Sequence, residues 1–141
     1  MYRKDYILRM LEMLMEMIAA IMGYIKKGEL KQASVALEYT YQTLLKEDAS
    51  FFQAIPVDEL TNKLIQEHNY TNSHLQILSE LFYAEAEIQF ATGNKEKCLE
   101  LYKKSVLLFD FIENTSKSYS IDGQSKKSLI LERINQIEQN R

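Results

Sequence analysis

Residues 79–112 read SELFYAEAEIQFATGNKEKCLELYKKSVLLFDFI, and this stretch decides the fold. Gly93 stands near its middle and is followed, at offsets of five, nine and twelve residues, by Cys98, Tyr102 and Ser105. Apolar residues recur at steps of three and four on both sides of the glycine, which is typical of two amphipathic helices. Gly93 can take the left-handed conformation that ends one helix and lets the next begin. The stretch therefore predicts a helix–turn–helix pair.

The same spacing occurs a second time in the chain, anchored on Gly28. Ala33, Leu37 and Thr40 follow this glycine at the same three offsets. Small residues where two helices cross let them approach to about 8–10 Å, and larger residues beside them fill the remaining gaps. We therefore interpret Ala33, and Cys98 at the matching position, as packing residues.

Composition favours an all-α chain. The 141 residues include one proline and four glycines, and long stretches contain neither. The length suits a single domain, residues 1–141, with its own core. Apolar periodicity predicts about six helices. They are helix pairs over about 4–47 and 74–113, a short helix over 57–68 and a C-terminal helix over 124–139, with a connector at 48–56 and a mobile loop at 114–123.

The same periodicity assigns side chains to the core or to solvent. In the short helix 57–68, Val57 is expected to face the core together with the leucines that follow it. The predicted apolar seam of the last helix consists of Leu129, Leu131, Ile134 and Ile137. The lysines of the fifth helix that are predicted to face solvent are Lys95, Lys97, Lys103 and Lys104.

Both glycine-anchored units resemble the tetratricopeptide repeat, whose period is about 34 residues. That repeat places a small residue seven positions before the glycine, where the second unit has Ala86 and the first has Ile21. The resemblance covers residues 14–47 and 79–112. The opening residues 2–10, YRKDYILRM, also resemble a small bacterial family of unknown function with this architecture. These resemblances imply tetratricopeptide-like antiparallel helix pairs in a compact right-handed bundle, and they imply no activity.

In tetratricopeptide pairs the first helix of each unit lines a concave groove, and the resemblance carries this role onto the matching positions here. An apolar floor with acidic and basic edges suits a peptide or a helix. The implied groove residues are Met15, Ile18, Met22, Lys26, Glu80, Tyr83, Glu87 and Phe90.

This groove predicts a non-enzymatic interaction module or scaffold. Such a module binds a peptide or helix segment of an unknown protein partner, or it associates with a second copy of itself. The alternative is a regulatory helical domain that binds a small ligand in a closed pocket lined by tyrosine and methionine. A melting-temperature shift with a metabolite would favour the alternative.

The first helix is rich in methionine, since all six methionines lie in the first 22 residues. Methionine is flexible and polarisable, and it is common on adaptable binding surfaces. A helix that is apolar over more than half its circumference is either buried on several sides or presents a face to a partner. Core filler and a surface for a partner or for a homodimer are both open interpretations of Met10, Met13, Met15, Met17 and Met22.

No catalytic or metal-binding set can be assembled from these residues, and we predict a non-enzyme without metal or cofactor. His68 and His74 lack metal-binding spacing and suit surface or capping roles. Cys98 at a helix crossing behaves as a compact apolar residue. Glu80, Glu85 and Glu87 are expected to form an acidic edge that faces solvent or the groove. The Glu-x-x-His motif of di-iron bundles does not accompany them.

The formal net charge of −3 offers nothing that attracts nucleic acid or an anionic membrane. One cysteine excludes an internal disulfide and fits a reducing cytosol. Glu12 and Glu16 interrupt the first apolar run, which argues against a signal peptide and against a membrane span. We therefore expect a cytoplasmic protein with no nucleic-acid or membrane partner.

Overall fold

A computed structural model of the chain describes residues 2–116 and 121–140, and within them the backbone forms helices and no strand. The all-α prediction is confirmed for this described part, with seven α-helices where about six were predicted. A 3₁₀ turn at Val57–Glu59 precedes α4, and a π-helical turn at Lys63–Glu67 follows it. The helices are α1 (Tyr2–Lys26), α2 (Leu30–Leu45), α3 (Ala49–Gln53), α4 (Leu60–Asn62), α5 (Asn72–Thr92), α6 (Lys95–Ser116) and α7 (Ile121–Gln139).

The centre of the fold is α5. Helices α1, α2 and α6 all pack against it, α1 also packs against α2, and α7 packs against α6. Because α5 has neighbours on several sides, consecutive apolar residues such as Ile77, Leu78, Leu81 and Phe82 are all fully buried. Its apolar residues therefore surround the helix instead of forming one stripe.

Both glycine turns lie where the spacing predicts them. Gly28 has φ 78° and Gly93 has φ 85°, in the left-handed region that glycine adopts without steric cost. The amide of Asn94 donates to the Gln89 carbonyl at 2.9 Å, so the turn after α5 satisfies a carbonyl that the helix leaves unpaired. These turns let α2 fold back on α1 and α6 fold back on α5.

The residues that the spacing assigns to the helix crossings are buried. Ala33, Ala86, Cys98 and Ser105 have no exposed surface. The Ser105 hydroxyl donates to the Ser79 carbonyl at 2.8 Å, so this buried polar side chain at the α5–α6 crossing is paired. The interpretation of Ala33 and Cys98 as packing residues is confirmed.

The predicted connector 48–56 contains a short helix, α3, that the periodicity did not indicate. Its first amide, at Ala49, donates to the Glu38 carboxylate of α2 at 3.1 Å. Phe52 is fully buried, and its ring stacks on Tyr41 with the centroids 5.8 Å apart. A helix of five residues is too short to display a 3.6-residue period, so its stability comes from this tertiary packing.

Two further boundaries differ from the predictions. Val57 is 37% exposed and does not face the core, because it stands in the 3₁₀ turn and not in a continuous helix. The predicted loop 114–123 is partly helical, since α6 continues to Ser116 and α7 begins at Ile121. Its central residues, 117–120, lie outside the described residues.

The apolar seam of α7 contains Ile130 in place of the predicted Leu129 and Leu131. Leu129 and Leu131 are 45% and 48% exposed, whereas Ile130 and Ile137 are buried and Ile134 packs against the core. A seam at steps of four and three fits one helix face, and Leu129 and Leu131 lie on either side of it. Two of the four predicted seam residues are therefore wrong.

Lys104 on α6 is buried, contrary to the prediction that it faces solvent. Its side chain has no exposed surface, and its ammonium donates to the Gln53 carbonyl at 2.7 Å. The carboxylate of Glu100 lies 3.4 Å from the same ammonium, and the Phe82 ring centroid lies 5.7 Å away. Burial lowers the pKa of Lys104, and Glu100 opposes that shift. The lysine thereby joins α6 to the end of α3.

The methionines of α1 belong mainly to the core. Met10 is buried, and Met13, Met17 and Met22 pack against the core while remaining partly exposed. Met15 differs, since 57% of its surface is exposed. In the described part of the chain, neither α1 nor any other helix is long and apolar enough to cross a bilayer.

Candidate functional site

Four of the implied groove residues lie on one face of α5. Glu80, Tyr83, Glu87 and Phe90 follow steps of three and four, and each is contacted by a basic side chain of α7. Glu80, Tyr83 and Glu87 are less than a tenth exposed. In the described structure this half of the groove is therefore covered by α7. We call these four side chains the α5 face.

Lys126 contacts the first half of the α5 face. Its ammonium lies 2.5 Å from Glu80 Oε1 and 4.9 Å from the centroid of the Tyr83 ring. The cation therefore has a carboxylate and an aromatic ring as simultaneous partners.

Arg133 repeats this arrangement two turns further along. Its Nε and Nη2 atoms lie 3.4 Å from the two carboxylate oxygens of Glu87, and its guanidinium carbon lies 4.3 Å from the Phe90 ring centroid. Lys126 and Arg133 are seven residues apart, as are Glu80 and Glu87. The two pairs are in register only if α7 runs parallel to α5, with contacts about 10 Å apart along both axes.

Glu87 is also tied to α6. The Tyr102 hydroxyl donates a hydrogen bond to Glu87 Oε2, and Tyr102 is fully buried. Burial raises the pKa of Tyr102, and the hydrogen bond to the carboxylate raises it further. Burial, followed by the Glu87 charge, raises the pKa of Tyr83 to about 12. Glu87 therefore joins α5, α6 and α7 through one buried carboxylate.

Glu85 lies on a different side of α5 from the α5 face. One of its carboxylate oxygens accepts from the Gln53 amide at 3.0 Å and the other from the Gln89 amide at 3.2 Å. The predicted acidic edge is therefore divided between two surroundings: Glu85 stabilises the end of α3, and Glu80 and Glu87 hold α7.

The α1 half of the implied groove is only partly at the surface. Met15 and Lys26 are exposed, whereas Ile18 is buried and Met22 packs against the core. That this half binds a partner stays a prediction.

The two histidines have structural surroundings. The amide of Thr71 donates to His74 Nδ1 at 3.1 Å, which forms a capping box at the start of α5. The His68 ring meets the Phe51 ring edge-on, with the centroids 5.2 Å apart. Among the described residues, no three histidine, cysteine or acidic side chains are placed to hold a metal ion.

An open groove of about 710 Å³ lies between the end of α3 and the first turns of α6. Its lining includes apolar residues as well as Gln53, Asn94, Lys97 and Glu100, which bring both signs of charge. Neither tyrosine nor methionine lines it, so it differs from the closed pocket expected for a small-ligand domain. Sequence reasoning missed this groove because it depends on α3.

We expect thiol reagents to modify Cys98 only when the protein unfolds. Its side chain has no exposed surface, and burial raises its pKa to about 11, whereas the reactive species is the thiolate. Release of a coloured thiol from an aromatic disulfide reagent measures the rate in native buffer and in denaturant. Fast modification of the folded protein would contradict the core assignment.

Comparisons with protein-family models, with curated proteins and with solved structures find no match for this chain. The resemblance to tetratricopeptide repeats therefore rests on the residues of the two glycine-anchored units.

Proposed function

We propose that this protein is a non-enzymatic interaction module in which the α5 face recognises a helix carrying two basic side chains seven residues apart. Helix α7 is the resident ligand of that face, and a partner segment with the same spacing exchanges with it. The two glycine-anchored units act as tetratricopeptide-like antiparallel pairs in a right-handed bundle, which present α5 to the ligand.

The observation that carries this proposal is the repeated contact between α5 and α7. Glu80 and Tyr83 form one subsite that holds a basic side chain, and Glu87 and Phe90 form a second such subsite two turns away. A carboxylate beside an aromatic ring selects a cation on an otherwise apolar surface, and two such subsites select its spacing. The ligand class that fits is an amphipathic helix with lysine or arginine at i and i+7.

The attachment of α7 is suited to exchange. Its apolar contribution is the narrow seam of Ile130, Ile134 and Ile137, whereas the flanking Leu129 and Leu131 stay exposed. The ion pairs of Lys126 and Arg133 are partly exposed to solvent, so each contributes modestly and is weakened by salt. Because α7 occupies the face, only molecules in which α7 is detached can bind a partner. The apparent dissociation constant is therefore the intrinsic one divided by the fraction of such molecules.

The test uses a fluorescent peptide with the sequence of residues 121–139 and the full-length chain. Replacing Lys126 and Arg133 in the chain with alanine removes both cations from the resident helix and keeps its apolar seam. We expect this variant to bind the peptide at least about ten-fold more tightly than the unmodified chain does, which corresponds to about 1.4 kcal/mol. Fluorescence anisotropy measures both dissociation constants.

The matched control is Glu132→Ala. Glu132 is an exposed residue of α7 that forms no ion pair within the described residues, so its loss is expected to leave peptide affinity close to that of the unmodified chain. A second peptide with glutamate at both basic positions is expected not to bind. Equal affinity of the alanine variant and the unmodified chain, or binding of the glutamate peptide, contradicts the proposal.

The small-ligand domain stays a prediction without an observation that favours it. The groove beside α3 is open, and its lysines and glutamates select no single ligand charge.

A further inference from the structure

The surface of α1 that faces away from the bundle forms one continuous stripe. At steps of four and three, the residues of this stripe lie on one helix face and are exposed, except for Gly23, which is half-buried. Met15 and Leu8 border it and are 57% and 51% exposed. We call it the outer stripe of α1, and its members are Glu12, Glu16, Ala19, Gly23 and Lys26.

Charge is distributed unequally along this stripe. The acids Glu12 and Glu16 lie at one end, and Lys26 with its neighbour Lys27 lies at the other. All four side chains are exposed, and within residues 2–116 and 121–140 none of them forms an ion pair. The stripe is therefore acidic toward the start of α1, uncharged in the middle and basic toward its end.

This pattern is complementary to itself when reversed. Ala19 lies halfway between Glu12 and Lys26. A second α1 running antiparallel, with the two-fold axis at Ala19, places Glu12 of each copy level with Lys26 of the other. The two ion pairs lie about 10 Å on either side of the axis, since the helix rises ~1.5 Å per residue. An isologous contact of this kind closes as a dimer.

Gly23 supports a close approach at this place. Its backbone is ordinary helix, because its φ is not positive, and a methyl group there would meet no atom within 4 Å. Neither the turn geometry nor the packing of this chain therefore requires glycine. In the antiparallel pair, Met15 of one copy lies level with Gly23 of the other, where the missing side chain leaves room for it.

We infer that the outer stripe of α1 is a homodimer surface that pairs antiparallel with the same stripe of a second copy. The charges specify the partner and its direction, because a parallel pair would set acid against acid and lysine against lysine. This surface belongs to α1 and not to the α5 face. A test of dimerisation and the peptide-binding test of the α5 face therefore succeed or fail independently.

The test is the mass of the full-length protein in solution as a function of concentration, by sedimentation equilibrium. The unmodified chain is expected to form a dimer whose dissociation constant rises with salt. Changing Glu12→Lys with Glu16→Lys, or Lys26→Glu with Lys27→Glu, is expected to raise that constant by about ten-fold or more. The four changes combined exchange the acidic and basic ends of the stripe. Opposite charges then face each other again in the antiparallel pair, and the dimer is expected to return.

The matched control is Glu132→Lys with Glu138→Lys, at exposed positions of α7, which changes the net charge as much as the acidic-end variant does. It is expected to leave the dimer unchanged, and circular dichroism verifies that every variant is folded. The inference is overturned by an unmodified chain that stays monomeric at every concentration. It is overturned equally by a dimer that persists in both reversal variants, or by a combined variant that does not dimerise.

Discussion

Replacing Phe52 with alanine is expected to lower the free energy of unfolding by about 3–5 kcal/mol. Phe52 is fully buried, and it joins α3 to two other parts of the chain. Its ring stacks on Tyr41 of α2, and the Tyr70 ring before α5 lies 6.2 Å from it. Truncation leaves a cavity that a five-residue helix held at both ends cannot refill without moving away from α2.

The neighbouring Phe51 is the matched control. It is half-buried and meets Phe52 and His68 edge-on, so Phe51→Ala removes less buried surface. We expect Phe51→Ala to lower the free energy of unfolding by about half as much or less. Urea titration followed by circular dichroism measures both variants. Equal effects of the two substitutions would mean that α3 is not anchored through Phe52.

The second large effect is a loss of stability at alkaline pH. Burial raises the pKa of Tyr70 to about 12 and that of Tyr83 to about 12, and it raises the pKa values of Tyr41 and Tyr102 as well. The unfolded chain releases these phenolic protons near pH 10, and the folded protein retains them. Their contribution to stability is therefore complete below pH 10 and is lost as the pH rises toward 12.

Thermal unfolding at a series of pH values measures this loss, and absorbance at 295 nm follows tyrosine ionisation in the same samples. We expect the melting temperature to fall steeply above pH 10 and the buried tyrosines to ionise together with unfolding. Tyr41→Phe should move the alkaline midpoint upward, because the Tyr41 hydroxyl is buried without a hydrogen-bond partner among the described residues. Tyr39→Phe, at a side chain that is 63% exposed, should leave the midpoint unchanged. Independent ionisation of all tyrosines near pH 10 would contradict this account.

The sequence predicts the parts of the fold that local rules govern. Gly28 and Gly93 must be glycine-like because the turns need a positive φ, and Ala33 and Cys98 must be small because two helices cross there. Both requirements concern residues that are close in sequence within one helix pair. The spacing of glycine and small residues is therefore enough to predict the turns and the helix crossings.

The remaining features depend on neighbours that are distant in sequence. Lys104 is buried because the Gln53 carbonyl, which ends α3, accepts a hydrogen bond from its ammonium, and nothing in the α6 sequence indicates that acceptor. Lys126 and Arg133 face inward because they form ion pairs with Glu80 and Glu87 of α5. Periodicity alone assigns such charged residues to the solvent face of a helix. The position of α7 over the implied groove is therefore a result of pairing between helices, which one helix pattern cannot predict.

The parallel register of α7 against α5 has a consequence for dynamics. The α7 backbone is separated from α5 by long side chains, and its attachment combines a narrow isoleucine seam with charge pairs whose basic members are partly exposed to solvent. Local opening of such an element needs less free energy than global unfolding, so its amides exchange with solvent through a separate, smaller fluctuation. A higher ionic strength is therefore expected to make opening of the last helix more frequent, while it barely affects the core around α5.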